Sequence, residues 1–150
     1  MNGAVVDLHT AAANASLSGL AEPVCYAVRV RAVGASGQRS NWSNRDIATS
    51  IVFTNDPLIA GVIPVRSAHM SELRVAVGTV RSAAGLPPFS FTGTIQTGAV
   101  IYASHVTELR NALNDALAAL GLPAVVFTDL QPRVSLIRAA EPQQLREAMK

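Results

Sequence analysis

The sequence predicts an α+β chain: an antiparallel β element followed by helical repeats with short extended arms. Two observations carry this. Apolar residues alternate with period two before residue 54, and beyond it a pattern of helical period recurs every 36 residues. The expected division is 1–53 for the β region and 54–150 for the repeats, in copies of about 54–89, 90–125 and 126–150.

In Val24–Val33 one face carries Tyr26, Val28, Val30 and Ala32, and the other carries Cys25, Ala27, Arg29, Arg31 and Val33. Alternation with β-branched and aromatic residues predicts a half-buried strand. Gly34–Asn44 is rich in Gly, Ser and Asn and reads as a loop. Asp46–Phe53 alternates again, with Ile47, Thr49, Ile51 and Phe53 on one face, which predicts an antiparallel partner. Upstream, Ala4–His9 reads as a short strand. Asn55-Asp56-Pro57 is a turn signal at the boundary.

Leu17-Ser-Gly-Leu20, Tyr26–Val33 and Ser40-Asn-Trp-Ser-Asn44 together resemble the last three strands of a fibronectin type III domain, over about residues 1–50. The resemblance implies that Tyr26 is the tyrosine-corner residue, its hydroxyl bonded to backbone upstream, and that Trp42 opens the final strand. The departure is length. A complete sandwich needs about 100 residues, so the resemblance implies an incomplete one with an uncovered apolar face.

The helices are legible in two copies. Met70, Leu73, Val77, Val80 and Ala84 form one stripe, and Val106, Leu109, Leu113, Leu117 and Leu120 another. Gly85 and Gly121 stand where a left-handed residue ends a helix, and Pro87 and Pro123 forbid continuation. A third, shorter helix is expected over Gln143–Met149, with Pro142 in its first turn. Between helices, Phe89–Thr94 and Ala99–Tyr102 predict a short hairpin or an irregular arm. Phe-Thr pairs recur at Phe53, Phe91 and Phe127. The pattern A-x-H-x-x-E-L-R followed by G-L-P resembles repeats at the carboxyl end of large secreted or surface proteins of environmental bacteria, and implies an extracellular accessory module.

Several function classes are excluded or disfavoured. The chain has 150 residues, 12 basic and 10 acidic, and 11 of the basic residues are scattered arginines, so nucleic-acid binding is not expected. No apolar run approaches the ~18 residues that span a bilayer, so no membrane insertion is expected. Met1–Thr10 has no basic start and no apolar core and is not read as a signal peptide; the chain is cytosolic, exported another way, or a fragment of a longer protein, the reading that the incomplete sandwich favours. The single cysteine, Cys25, allows no intrachain disulfide and has no base nearby in sequence. No nucleophile elbow, phosphate loop or dinucleotide fingerprint occurs. Asn14-Ala-Ser16 and Asn41-Trp-Ser43 match the glycosylation acceptor pattern and are read as chance.

Two His/Glu pairs at helical spacing, His69/Glu72 and His105/Glu108, are the candidate metal ligands. The preferred reading is structural: the carboxylates favour the first helical turn and the imidazoles hydrogen-bond the preceding arm. At the matching third positions stand Glu141 and Gln144, so the imidazole and the carboxylate are both lost from their matching positions. Arg74, Arg110 and Arg146 recur in register and are read as surface residues or local ion pairs, with an anion-binding row as the alternative. Trp42 and Tyr102 are the aromatics available to stack on a sugar.

The expectation is therefore a non-catalytic extracellular or cell-surface structural module, with no catalytic residue, cofactor or metal. Its partners would be a second copy of itself, in oligomers or filaments, or other surface domains. Self-association is expected through Tyr26, Val28, Val30 and Ile51. The alternative is a ligand- or metal-binding accessory module using the His/Glu face.

Overall fold

A computed structural model describes residues 10–12, 14–128, 130 and 137–150; the expected strand at Ala4–His9 lies outside them. The architecture mixes α and β: a two-stranded antiparallel sheet and three helices. Strand β1 (Cys25–Val28) pairs with β2 (Asp46–Thr49), with Cys25 opposite Thr49 and Val28 opposite Asp46. Helices α1 (Ser67–Ala83) and α2 (Ala103–Ala119) are 17 residues each, and α3 (Ala140–Glu147) has 8.

Both strands are shorter than their alternation predicts. Beyond Val28 the chain still runs beside residues 39–43, but serine hydroxyls replace half of the ladder. Ser43 Oγ accepts the Val30 N–H at 3.0 Å and Ser40 Oγ accepts the Ala32 N–H at 2.9 Å. A bridge between Val33 and Arg39 closes this stretch. β2 ends where the Thr49 N–H turns to the Met149 carbonyl, 2.8 Å away, instead of to a third strand.

One face of the sheet meets the helices. Cys25 and Ile47 are buried in the same core as α1, α2 and α3, and Phe53 joins them. The face carrying Tyr26 and Val28 looks outward. Ile51 packs against the core, so it is not on the outward face with Tyr26, Val28 and Val30. This corrects the expected self-association set.

The helices form for local reasons and hold for tertiary ones. In α1, Met70, Leu73, Ala76, Val77 and Val80 are fully buried, and in α2 so are Val106, Leu109, Ala112, Leu113 and Ala116. Fully burying one such large aliphatic side chain contributes about 1.5–3 kcal/mol. Gly85 and Gly121 both stand at φ 73°, the left-handed conformation that ends each helix at little cost. α3 is too short to stand alone; Leu145, Arg146 and Met149 are fully buried and pin it to the other two helices. It starts three residues earlier than expected, at Ala140. The stretches 89–94 and 99–102 are irregular arms, not a hairpin.

Candidate functional site

The residues singled out for chemistry converge on three junctions where an arm meets helices. Each junction centres on a Phe-Thr pair. At the first, the Thr54 N–H and hydroxyl both donate to the Glu72 carboxylate of α1, at 3.1 and 2.5 Å. At the second, the Thr92 N–H donates to Glu108 Oε2 of α2 at 3.0 Å, and its hydroxyl to Oε1. At the third, Gln144 Nε2 of α3 donates to Thr128 Oγ1 at 2.7 Å.

Each arm is gripped a second time by an arginine from another helix. Arg74 of α1 donates to the carbonyls of Thr92 and Gly93, at 2.8 and 3.0 Å, with its guanidinium over the Phe91 ring. Arg110 of α2 donates to the Thr128 carbonyl at 2.8 Å and lies over Phe127. Arg146 of α3 returns to the beginning, bonding the carbonyls of Thr54 and Asn55 at 3.0 Å each and lying 4.7 Å over Phe53. The order is cyclic: α1 holds the second arm, α2 the third and α3 the first. A guanidinium suits this role, because its fork donates to two adjacent carbonyls while its plane stacks on an aromatic ring.

These contacts correct the surface reading of the arginines. Arg110 and Arg146 are buried, Arg146 completely, and Arg74 is half-buried. Arg146 also pairs with Glu72, Nη2 to Oε2 at 3.3 Å. A buried cation is costly unless its donors are satisfied. Two carbonyls, a carboxylate and a ring face offset part of that cost, while the Arg146 Nε–H is buried without a hydrogen-bond partner among the described residues.

The histidines bond the preceding arm as expected, while the glutamates depart from their expected place at the helix start. Neither Glu72 nor Glu108 caps a helix. Nδ1 of His69 accepts the Arg66 N–H at 3.1 Å, and Nδ1 of His105 accepts the Tyr102 N–H at 3.3 Å. In each case the third helical residue satisfies the N-cap backbone, as a capping-box carboxylate would. In α3 the second helical residue, Glu141, makes a related contact: its carboxylate accepts the N–H of Arg138, the residue before the N-cap Ala139, at 2.8 Å. Glu141 thus holds backbone ahead of its helix, and Gln144 keeps one bond to the threonine hydroxyl in place of the two each glutamate accepts. The sequence signal was the Glu itself, the usual capping-box residue.

His69 is completely buried. With Nδ1 accepting, the neutral tautomer places a proton on Nε2, which donates to Asn55 Oδ1 at 3.2 Å. Burial, and next the Arg146 guanidinium, hold this imidazole below its ordinary value, with Glu72 opposing. Asn55 stands at φ 54° and Gly93, its counterpart in the second arm, at φ 66°. A Cβ on Gly93 would lie 3.1 Å from His105 Nε2, so the second arm needs glycine on both counts.

His69, Glu72, His105 and Glu108 are thus each engaged in an arm or a helix start. Among the described residues no group of three or more His, Cys, Asp or Glu side chains is placed to hold a metal ion. Cys25 is buried, and burial pushes its thiol up to about 11, far from a reactive thiolate. Trp42 lies against Arg29 and Arg31, at 5.0 and 4.1 Å from its ring centre. Tyr102 is exposed and edge-on to His105. The Tyr26 hydroxyl bonds the Ala21 backbone, accepting from N–H at 2.9 Å.

Among the described residues no helix is long and apolar enough to cross a membrane. In comparisons with known proteins, no family model, no curated protein and no solved structure matches this chain.

Proposed function

We propose that this chain is a non-catalytic extracellular structural module that self-associates through the outward face of its sheet. In this reading an incomplete fibronectin type III-like element is followed by three copies of an arm-and-helix unit, and the copies serve as its rigid support. The observation that carries it is the state of the sheet. Val28 is 40% exposed and Val30 66% exposed on a two-stranded sheet whose outer layer no other element of the described chain supplies. The register adds an edge: with Tyr26 and Val28 in the hydrogen-bonded pairs, the N–H and C=O groups of Cys25 and Ala27 point away from β2. An open edge beside an apolar face is a template for another strand. The second edge is blocked, because the Met149 carbonyl takes the Thr49 N–H and Asp46 Oδ1 takes the Ile47 N–H. One open edge and one blocked edge favour a closed dimer over a filament.

Light scattering after gel filtration, over a concentration series to about 500 μM, tests this; assemblies of this kind form in the micromolar range. A dimer that Val30→Asp returns to monomer is expected. A wild-type monomer throughout the series overturns the proposal.

A further inference from the structure

The segment after α1 and the segment after α2 run in step. Each passes a left-handed glycine, Gly85 or Gly121, whose following N–H bonds back to Arg81 or Leu117 at 2.9 and 2.8 Å. Each then reaches a phenylalanine under an arginine, Phe91 under Arg74 and Phe127 under Arg110. Between these matched points Phe89 corresponds to Val125, and on the helices Gly78 corresponds to Asn114, both at the 36-residue interval.

Among the differences between the two places, the one on the helix at the matched position decides the backbone bonding. Asn114 fills the space beside the second segment and bonds both backbone groups of Val125. Its Oδ1 accepts the N–H at 2.9 Å and its Nδ2 donates to the C=O at 3.1 Å. Gly78 has nothing to offer, and a Cβ added there would meet no atom within 4 Å. A groove of about 400 Å³ lies in its place, lined among others by Val75, Gly78, Leu86, Pro88, Phe89 and Phe91. Among the described residues the Phe89 N–H and C=O have no hydrogen-bond partner.

We propose that the groove over Gly78 binds a carboxamide, the side chain of an asparagine or glutamine on an extended segment of a partner protein, in the position that Asn114 occupies over Val125. A carboxamide presents an acceptor and a donor side by side, and so satisfies both Phe89 groups at once. A carboxylate has no donor for the carbonyl. The nearest cation, Arg74, is turned to the carbonyls of Thr92 and Gly93 and stacked on Phe91. The apolar walls, including Val75 at 49% exposure and the Phe89 and Phe91 rings 4.8 Å apart, cover the flanking methylenes of such a segment. No residue of β1 or β2 lines the groove, and the proposal does not depend on assembly.

The test is titration of the ¹⁵N-labelled full chain with N-acetyl-asparagine N-methylamide to about 50 mM, a range suited to the weak binding of so small a ligand. It is run in the wild type and in Val30→Asp, so that failure here is separate from failure of the assembly reading. Saturable shifts of the Phe89 and Gly78 amide resonances are expected, with the aspartate counterpart leaving them unmoved. Gly78→Asn, which installs the α2 residue, is expected to abolish the response, and Gly78→Ala to keep it within about threefold, since an added methyl meets open space. Absence of a saturable shift overturns the proposal. So does an equal response to the aspartate compound, a response surviving in Gly78→Asn, or its equal loss in Gly78→Ala.

Discussion

The helical part and the hairpin of this protein are held by different physics. Between α1 and α2 the facing side chains are completely buried, and α3 is sealed against both by Leu145, Arg146 and Met149. The hairpin buries Cys25 and Ile47, leaves Val28, Val30, Val33 and Trp42 substantially exposed, and keeps its length by serine hydroxyls and an Arg–Trp stack. Besides that apolar packing it is tied to the helical part by few hydrogen bonds, such as Arg45 on the Leu120 carbonyl and Thr49 on the Met149 carbonyl. The lesson is that the helices supply the stability and the hairpin depends on it.

The largest effect that tests this contrast comes from truncating each core. Leu113→Ala, at a fully buried site, is expected to cost about 4 kcal/mol in urea unfolding, and Ile47→Ala about 2 kcal/mol. Hydrogen exchange separates them further. Leu113→Ala should accelerate exchange throughout, and Ile47→Ala chiefly in β1 and β2. Uniform acceleration by Ile47→Ala would show that the hairpin is as integral as the helices.

A smaller effect compares the junctions within the helical part. Arg146→Met removes a completely buried guanidinium with its two carbonyl bonds and its ion pair to Glu72, so about 3 kcal/mol is expected. Arg74→Met acts at a half-buried, more exposed junction, and about 1 kcal/mol is expected. Equal losses would mean that closing the cycle through α3 carries no special weight.

The smallest effect is on pH. The His69 imidazole titrates lower in the folded chain than its ordinary value of 6.5, so the unfolded chain binds the proton more readily. Its contribution is fully present above about pH 6.5 and is lost as pH falls through the lower folded value. Stability between pH 7 and 5 should therefore decline, and His69→Gln should flatten that decline relative to the wild type. Thermal unfolding across the range checks this, and parallel profiles would assign the decline to other groups.

Much of the fold was legible because its signals are local. The stripes Met70–Leu73–Val77–Val80 and Val106–Leu109–Leu113–Leu117 marked the helices, and Gly85 with Pro87 and Gly121 with Pro123 marked their ends. Strand lengths were overestimated because Arg29, Arg31 and Val33 alternate as a strand would, while Ser40 and Ser43 take over the bonding through side chains. The candidate residues were legible as positions and only partly as roles: the histidines bond the preceding arm as expected and Arg146 takes an ion pair, but the glutamates do not cap. His69, Glu72 and Arg74 recur visibly, yet spacing does not say that the imidazole caps, the carboxylate takes a threonine and the guanidinium takes the next arm.

The sequence by itself determined three helices, the ends of the first two and a paired β element, because hydrophobic period and backbone conformation act over a few residues. Only the tertiary structure decided which partner each recurring side chain takes. Arg74 meets Thr92 across 18 residues, whereas Arg146 meets Thr54 across 92, and the same side chain serves both. It decided as well that Gly78 faces an open groove where Asn114 faces a filled one. Such contacts depend on how whole elements dock, and a linear pattern records the donors and acceptors without recording that docking.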